Sequence, residues 1–335
     1  MKTFLESRRD FLRTTGALAA AAAAGGAAPF ALAQSGAAPL RILCQGPAGS
    51  IPDAVARRYS EALAGRRPGG ALVDNRPGAA GQIAIAALRQ APADGNTLLL
   101  AASAVSTVYP YLYARLSYDP DADLKPVSVA AEATLALAVG PAVPDTVRTL
   151  KDFVEWSKAN PRLVNFGSPG QGTLPHVLSA MFFKEAAIDA QHAAYGGGPP
   201  AIVDLIGGRI AALSLPEGIL RPHHETRKIR VLATSGTTRS VFYRDVPTFA
   251  EQGFPNLVIR EWFAFYMSGS TPQPLVLAAS QAVRTAAESS ALALAFHEMG
   301  MFSVTSTPEA ATERIVSERR YWKDALASTG IRAES

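Results

Sequence analysis

The chain contains a single cysteine, Cys44. One thiol excludes an intramolecular disulfide and any thiolate metal cluster. Basic residues are scattered among acids, and no Lys/Arg run is longer than two. That excludes the charged stripe of a nucleic-acid-binding protein. Beyond the N-terminal region, no stretch has the length and apolarity to span a bilayer. Enzyme signatures are missing too. There is no G-x-S-x-G elbow and no H-E-x-x-H. The "SPGQGTLPH" stretch lacks the Gly-Lys-Ser/Thr of a P-loop, and its glycine spacing does not fit a dinucleotide fingerprint. No motif calls for a cofactor or a metal. Apolar residues, by contrast, make up 48% of the chain, enough to hold it together by its core.

The N-terminal region has the layout of a bacterial export signal. Arg8 and Arg9 are followed by Phe11-Leu12, an Ala-rich run and a small-x-small site at Ala31-Leu32-Ala33. Paired arginines point to the Tat route, with a Sec signal as the alternative. Cleavage near Ala33 leaves a mature chain beginning at Gln34. The run is short and broken by Gly25-Gly26, so no permanent membrane anchor is expected. Lys2, Arg8, Arg9 and Arg13 against Glu6 and Asp10 supply half of the +4 net charge. The localisation expected from this segment is periplasmic.

The rest alternates strand, small-residue loop and helix. "LRILCQ", "ALVDN", "NTLLLAA", "LVNFGS" and "AQHAAY" read as strands, and "VSVAAEATLALAVGP" as one or two more. "DAVARRYSEALAG", "IAIAALRQA", "TVRTLKDFVEWSKANP", "LPHVLSAMFFKEA" and "AIVDLIGGR" read as helices. "SAVST" reads as a small polar loop. His223-His224-Glu225 reads as a solvated turn, because adjacent side chains diverge. This order predicts an α/β fold with largely parallel sheets. Two similar units joined in mid-sheet, with a late return to the first, suggest two lobes. The crossovers fall near Val139–Pro144 and Arg260–Phe263. A single doubly wound domain is the other reading of the same order.

Five strand–helix junctions have small or glycine-rich loops: Gly46–Pro52, Arg76–Gln82, Ser103–Thr107, Ser168–Thr173 and Gly196–Pro200. Such loops sit at the carboxyl ends of the strands, where ligands bind. Each helix start carries free N–H groups and a partial positive charge. Glycine lets a ligand's oxygens approach the backbone closely. Several such junctions facing one cleft make a carboxylate or phosphate receptor with few charged side chains. Asp53 reads as an N-terminal helix charge, His176 as a loop-packing or ligand-lining residue, and Asp204 as a holder of a neighbouring loop.

The stretches "DNRPGAAGQIA", "APADGNTLLLA", "NFGSPGQGTLPH", "HAAYGGGPPAIVDLIGGRI" and "DVPTFAEQGFP", in this order, resemble one family. It is the periplasmic solute receptors of tripartite tricarboxylate transporters, the TctC or Bug-type binding proteins. The resemblance implies a type II periplasmic-binding-protein (Venus flytrap) fold. Its two α/β lobes would be residues 34–139 plus 262–335 and residues 140–261. It implies no catalysis. It implies a small organic carboxylate as ligand and integral-membrane permease subunits as partners, with a monomer as the default state. Carried over by position, Gly49, Ser50, Ile51, Asp53 and Ser103 would face the ligand from one lobe. Ser168, Gly170, Gln171, Gly172, Thr173, His176, Tyr195, Gly196 and Leu215 would do so from the other. Leu215 and Pro216 stand where the family often has an acid, which implies a carboxylate with an uncharged remainder. Two other readings stay open. One is a periplasmic sensor serving a signalling partner. The other is an α/β hydrolase using Ser168 or Ser103 with His176.

Overall fold

The computed structural model describes residues 38–329 and 331–332. The export signal expected before Gln34 lies outside the described residues. Strand β1 (Leu40–Cys44) is buried except at Arg41, as its mostly apolar sequence requires of a central parallel strand. It pairs in parallel with β2 (Ala71–Asn75) and β3 (Thr97–Ala102). The crossovers are α1 (Ile51–Ala64) and α2 (Gln82–Gln90), the latter entered through a 3-10 turn at Ala79–Gly81.

Strand β4 (Leu124–Val139) is a single 16-residue strand that serves two parts of the sheet. Up to Thr134 it pairs antiparallel with β9 (Arg260–Ser268). From Leu135 it pairs with β7 (Ala212–Pro216), and from Ala136 with β8 (Arg230–Thr234). Register shifts flank Pro126/Ser128 and Val129/Ala131. Pro126 cannot donate to the ladder, so a proline inside this strand is tolerated at an irregularity. The order across the sheet is β2-β1-β3-β9-β4-β7-β5-β6, with β5 (Asn165–Ser168) parallel to both β6 (Gln191–Ala194) and β7. Short β10 (Phe302–Ser303) pairs with β4.

Helices α5 (Leu150–Ala159), α6 (Leu174–Glu185) and α7 (Gly198–Ile206) follow β4, β5 and β6. Helix α8 (Glu217–Glu225) follows β7, and α9 (Gln273–Ala287), α10 (Ser290–Glu298) and α11 (Pro308–Thr329) close the chain. Three apolar clusters fill the space. In one, Val55, Tyr59 and Leu63 of α1 meet Phe265 of β9 and Phe296 of α10. Tyr59 is fully buried, and its hydroxyl donates to the Ala130 carbonyl at 2.9 Å. Helix α11 is tied down by Trp262, whose indole N–H donates to Glu318 at 2.7 Å. Arg314 covers the Trp262 ring at 4.6 Å and pairs with Glu132 and Glu318. Removing so large a buried side chain costs about 3–5 kcal/mol.

Two local expectations are corrected. "SAVST" is not a loop but a helical turn, α3 (Ala104–Thr107), followed by α4 (Tyr109–Leu112). The hydroxyls of Ser106 and Thr107 both donate back to the Ser103 carbonyl, which closes the turn. His223-His224-Glu225 is the last turn of α8 rather than a solvated turn. His224 Nδ1 accepts from the Val231 amide at 3.2 Å and so ties that helix to β8. Among the described residues, no helix is long and apolar enough to cross a membrane.

Candidate functional site

A cavity of about 130 Å³ lies where the β1, β3, β5, β6 and β7 ends meet. Three helices begin at its wall. Ser50 and Ile51 open α1, Thr173 precedes α6, and Gly197 and Gly198 open α7. Each carries proline in its first turn, and none has a side-chain cap. Proline there fits the helix and removes an amide that has no internal partner. The amides that remain point outward as an anion-binding edge. Helix α5, away from the cavity, is by contrast closed by a capping box of Thr149 and Asp152. Among the described residues, none accepts a hydrogen bond from the Gly196 or Gly197 amide.

The first loop is held from below by Asp53. Its carboxylate accepts from the Gly49 amide at 3.0 Å, Asn75 Nδ2 at 2.8 Å and Arg57 Nε at 3.0 Å. Burial alone would raise this acid, but the three hydrogen bonds outweigh it and hold Asp53 below the ordinary aspartate value. Gly46 has no room for a side chain, since a Cβ would lie 2.3 Å from Ser50 Oγ. That hydroxyl is committed to the Pro47 carbonyl at 2.6 Å.

The loop after β5 folds on itself. The Gly170 carbonyl accepts from Ser168 Oγ at 3.0 Å and Thr173 Oγ1 at 2.8 Å. Tyr195 is steered by Asp204, which accepts its hydroxyl at 2.9 Å and pairs with Arg209. Burial, then the Asp204 hydrogen bond and charge, push Tyr195 up to about 12.

Contacts join the two sides of the cavity. A Cβ on Gly197 would fall 2.7 Å from Pro47 Cγ, and one on Gly170 would fall 3.6 Å from Ala80 Cβ. Tyr113 donates its hydroxyl to the Gln171 carbonyl at 2.7 Å. Ala79 and Ala80 both adopt the left-handed region, at φ 45° and 50°, where side chains are disfavoured.

Of the residues singled out from the sequence, Ser50, Ile51, Gly170, Thr173, Tyr195, Gly196 and Leu215 line the cavity. Gly49, Asp53, Ser103, Ser168, Gln171, Gly172 and His176 are not among the residues that line it. The Gly49 amide is taken by Asp53, and the Gly172 amide donates to His176 Nδ1 at 3.1 Å. Ser103 Oγ is buried without a partner. Sequence reasoning missed Gln45, Tyr109, Glu261 and Phe263, which also line the cavity. An acid inside the apolar run "REWFAFYMS" was the available signal for Glu261.

A serine–histidine pair does occur, but not the one anticipated. Ser168 Oγ lies 2.8 Å from His192 Nε2, while His176 faces Gly172. Ser168 is fully buried, and among the described residues no carboxylate is hydrogen-bonded to His192 to orient it. His176 and His192 stack with centroids 4.0 Å apart. Burial, and then the His192 charge, lower His176 to about 3, and burial lowers His192 to about 4. Both rings are neutral packing elements at neutral pH.

Residues 55–330 match the family described as "Tripartite tricarboxylate transporter family receptor". The chain belongs to this family. As a TctC-family protein it is a periplasmic solute-binding receptor, a transport component and not an enzyme. It is similar to BugT of Bordetella pertussis, at 30% identity over 312 residues, 93% of this chain and 95% of that protein. Its fold is that of periplasmic binding proteins. A structure from R. palustris solved with adipate superposes with a TM-score of 0.83 at 24% identity, covering 89% of this chain and 98% of that one. MatC from Rhodopseudomonas palustris with bound malate gives 0.80 at 21%, covering 86% and 98%.

Proposed function

We propose that this TctC-family receptor captures a small organic carboxylate in the cavity and hands it to the integral-membrane subunits of a tripartite tricarboxylate transporter. The observation that carries this is the meeting of three uncapped helix starts on one cavity with no lysine or arginine in its lining. Backbone amides and helix dipoles favour a carboxylate there without a charged side chain. The adipate and malate bound by the two structural relatives support the same ligand class. The ligand contacts are Ser50, Ile51, Gly170, Thr173, Tyr195, Gly196 and Leu215. Gly49, Asp53, Ser103, Ser168, Gln171, Gly172 and His176 form the supporting layer.

The protein works as a monomer of two lobes, residues 34–139 plus 262–335 and residues 140–261. The change of partners along β4 after Thr134, close to the start of β9, supports a hinge between them. The contacts across the cavity support a closed arrangement as the form presented to the permease. The paired arginines at Arg8 and Arg9 support export through the Tat route.

A thermal-shift screen of Gln34–Ser335 against mono-, di- and tricarboxylates, aromatic acids, amino acids, sugars and inorganic phosphate tests this. A ligand at a hundred times its dissociation constant adds about 2.7 kcal/mol of stability. A shift confined to carboxylates is expected. A protein stabilised by sugars or inorganic phosphate instead would overturn the proposal.

A further inference from the structure

The cavity holds one charged side chain to which the carboxylate reading gives no task. Glu261 of β9 is 5% exposed and is the sole Asp, Glu, Lys or Arg in the lining. Among the described residues, none forms a hydrogen bond or ion pair with its carboxylate. Its neighbour Arg260 faces the other way, 3.8 Å from Glu132. A second acceptor stands in the same lining. Gln45 follows β1, and its Oε1 is buried without a partner. Leaving buried acceptors without donors is costly, and such groups in a binding cavity await donors from a ligand.

We propose that the ligand carries a protonated amine beside its carboxylate, as an α-amino acid does, and that Glu261 is the specificity residue that meets the ammonium. Gln45 Oε1 is the second acceptor for that group. The inference rests on the carboxylate reading, because the other end of the same molecule sits on the helix starts. The cavity is then dipolar, positive at the openings of α1, α6 and α7 and negative at β9. Once Glu261 is ionised, a zwitterion matches both poles, whereas the far carboxylate of a plain dicarboxylate meets it with like charge. This reverses the uncharged remainder inferred from Leu215 and Pro216. The acid enters from β9 rather than from the end of β7.

Burial pushes Glu261 up to about 8, so the unliganded receptor holds it mostly protonated at neutral pH. Ammonium binding then expels that proton, and affinity rises with pH. Other titratable groups nearby do not mimic this. Tyr109 lines the cavity with its hydroxyl donated to the Ala80 carbonyl, and burial holds it well above its ordinary value. Tyr195 is pushed up to about 12. Glu217, beside Pro216 and outside the lining, is pushed up to about 7 by burial and needs its own control.

The test is calorimetry on matched pairs: aspartate with succinate, glutamate with glutarate, phenylalanine with 3-phenylpropionate. In at least one pair the amino member should bind tenfold or more tighter. Glu261→Gln should erase that preference and leave the deaminated partner within about threefold. If deaminated acids bind as tightly as their amino partners, the inference is overturned while the carboxylate reading stands. If no member of any pair binds, both are overturned. Should E261Q fail to fold, the wild-type protein decides. Affinity for the amino member should rise about tenfold per unit from pH 6 and level off near pH 8, with release of about one proton. Glu217→Gln should leave that slope in place. A flat or falling profile overturns the inference.

Discussion

Replacing Asp53 by asparagine should loosen the first loop from beneath and weaken ligand capture without touching the cavity wall. The magnitude follows from the three bonds. Arg57 is half exposed, so its ion pair is worth at most about 1 kcal/mol. The bonds from the Gly49 amide and Asn75 Nδ2 reach a buried, charged acceptor and are worth about 1.5 kcal/mol each. Asparagine keeps one acceptor oxygen but turns an N–H group towards the second donor. Asp53→Asn should therefore cost about 2 kcal/mol and Asp53→Ala about 3 kcal/mol. Urea denaturation at pH 7 reads this directly, and a melting curve should fall by about 5 °C for D53N. Affinity for the best ligand of the carboxylate screen should drop at least tenfold, since Ser50 and Ile51 lose their support. The pH dependence carries a sign. Asp53 is depressed in the folded state, so its contribution is present above the ordinary value of about 4 and is lost as pH falls through the folded value. The gap between wild type and D53N should therefore close on acidification below about pH 4. A D53N protein with wild-type stability and affinity at pH 7 would refute the reasoning.

Two further outcomes are expected. His176 and His192 are held neutral in the fold, so the unfolded chain takes up protons that the folded chain refuses. Each costs up to about 1.4 kcal/mol per pH unit as pH falls below about 6.5. Glu217 and Glu261 work in the opposite direction, because burial raises them, so the informative quantity is a difference. Urea midpoints from pH 4.5 to 7.5 should fall less steeply for His192→Phe than for wild type, and parallel profiles would exclude the histidine account. Tyr113→Phe removes one bond across the cavity, worth about 1 kcal/mol, and should weaken binding about five-fold with little change in unfolding. Calorimetry checks this, and an unchanged dissociation constant would show that the bond does not help closure.

Much of the fold was legible because its signals are local. The mostly apolar β1, the glycine-bearing loops and the helices that follow them needed no long-range information. "SAVST" misled because its composition is that of a loop, while two hydroxyls folding back on Ser103 make it helical. Helix α10 went unread between α9 and β10 because "SALALAFHE" has no sharp amphipathic period. Within the site, loop position was legible but direction was not. Asp53 and His176 stand near cavity-lining residues in sequence, yet their polar atoms hold Gly49 and Gly172. Glu261 was missed for the converse reason. Its strand reads as buried core, and nothing local says that this one side chain opens into a cavity.

The placement of β9 between β3 and β4 sets the order in which a nascent chain can be completed. Both neighbours are synthesised well before residue 260. Until β9 arrives, β3 and one edge of β4 present unpaired backbone along apolar strands. The part of the sheet built on the end of β4, with β5 to β8, has all its strands by Thr234 and can close earlier. The first strands written are thus among the last to be sealed. Unpaired edges of this kind are where chains aggregate or recruit one another. During synthesis, therefore, the most vulnerable surface of this receptor is the gap that β9 will fill.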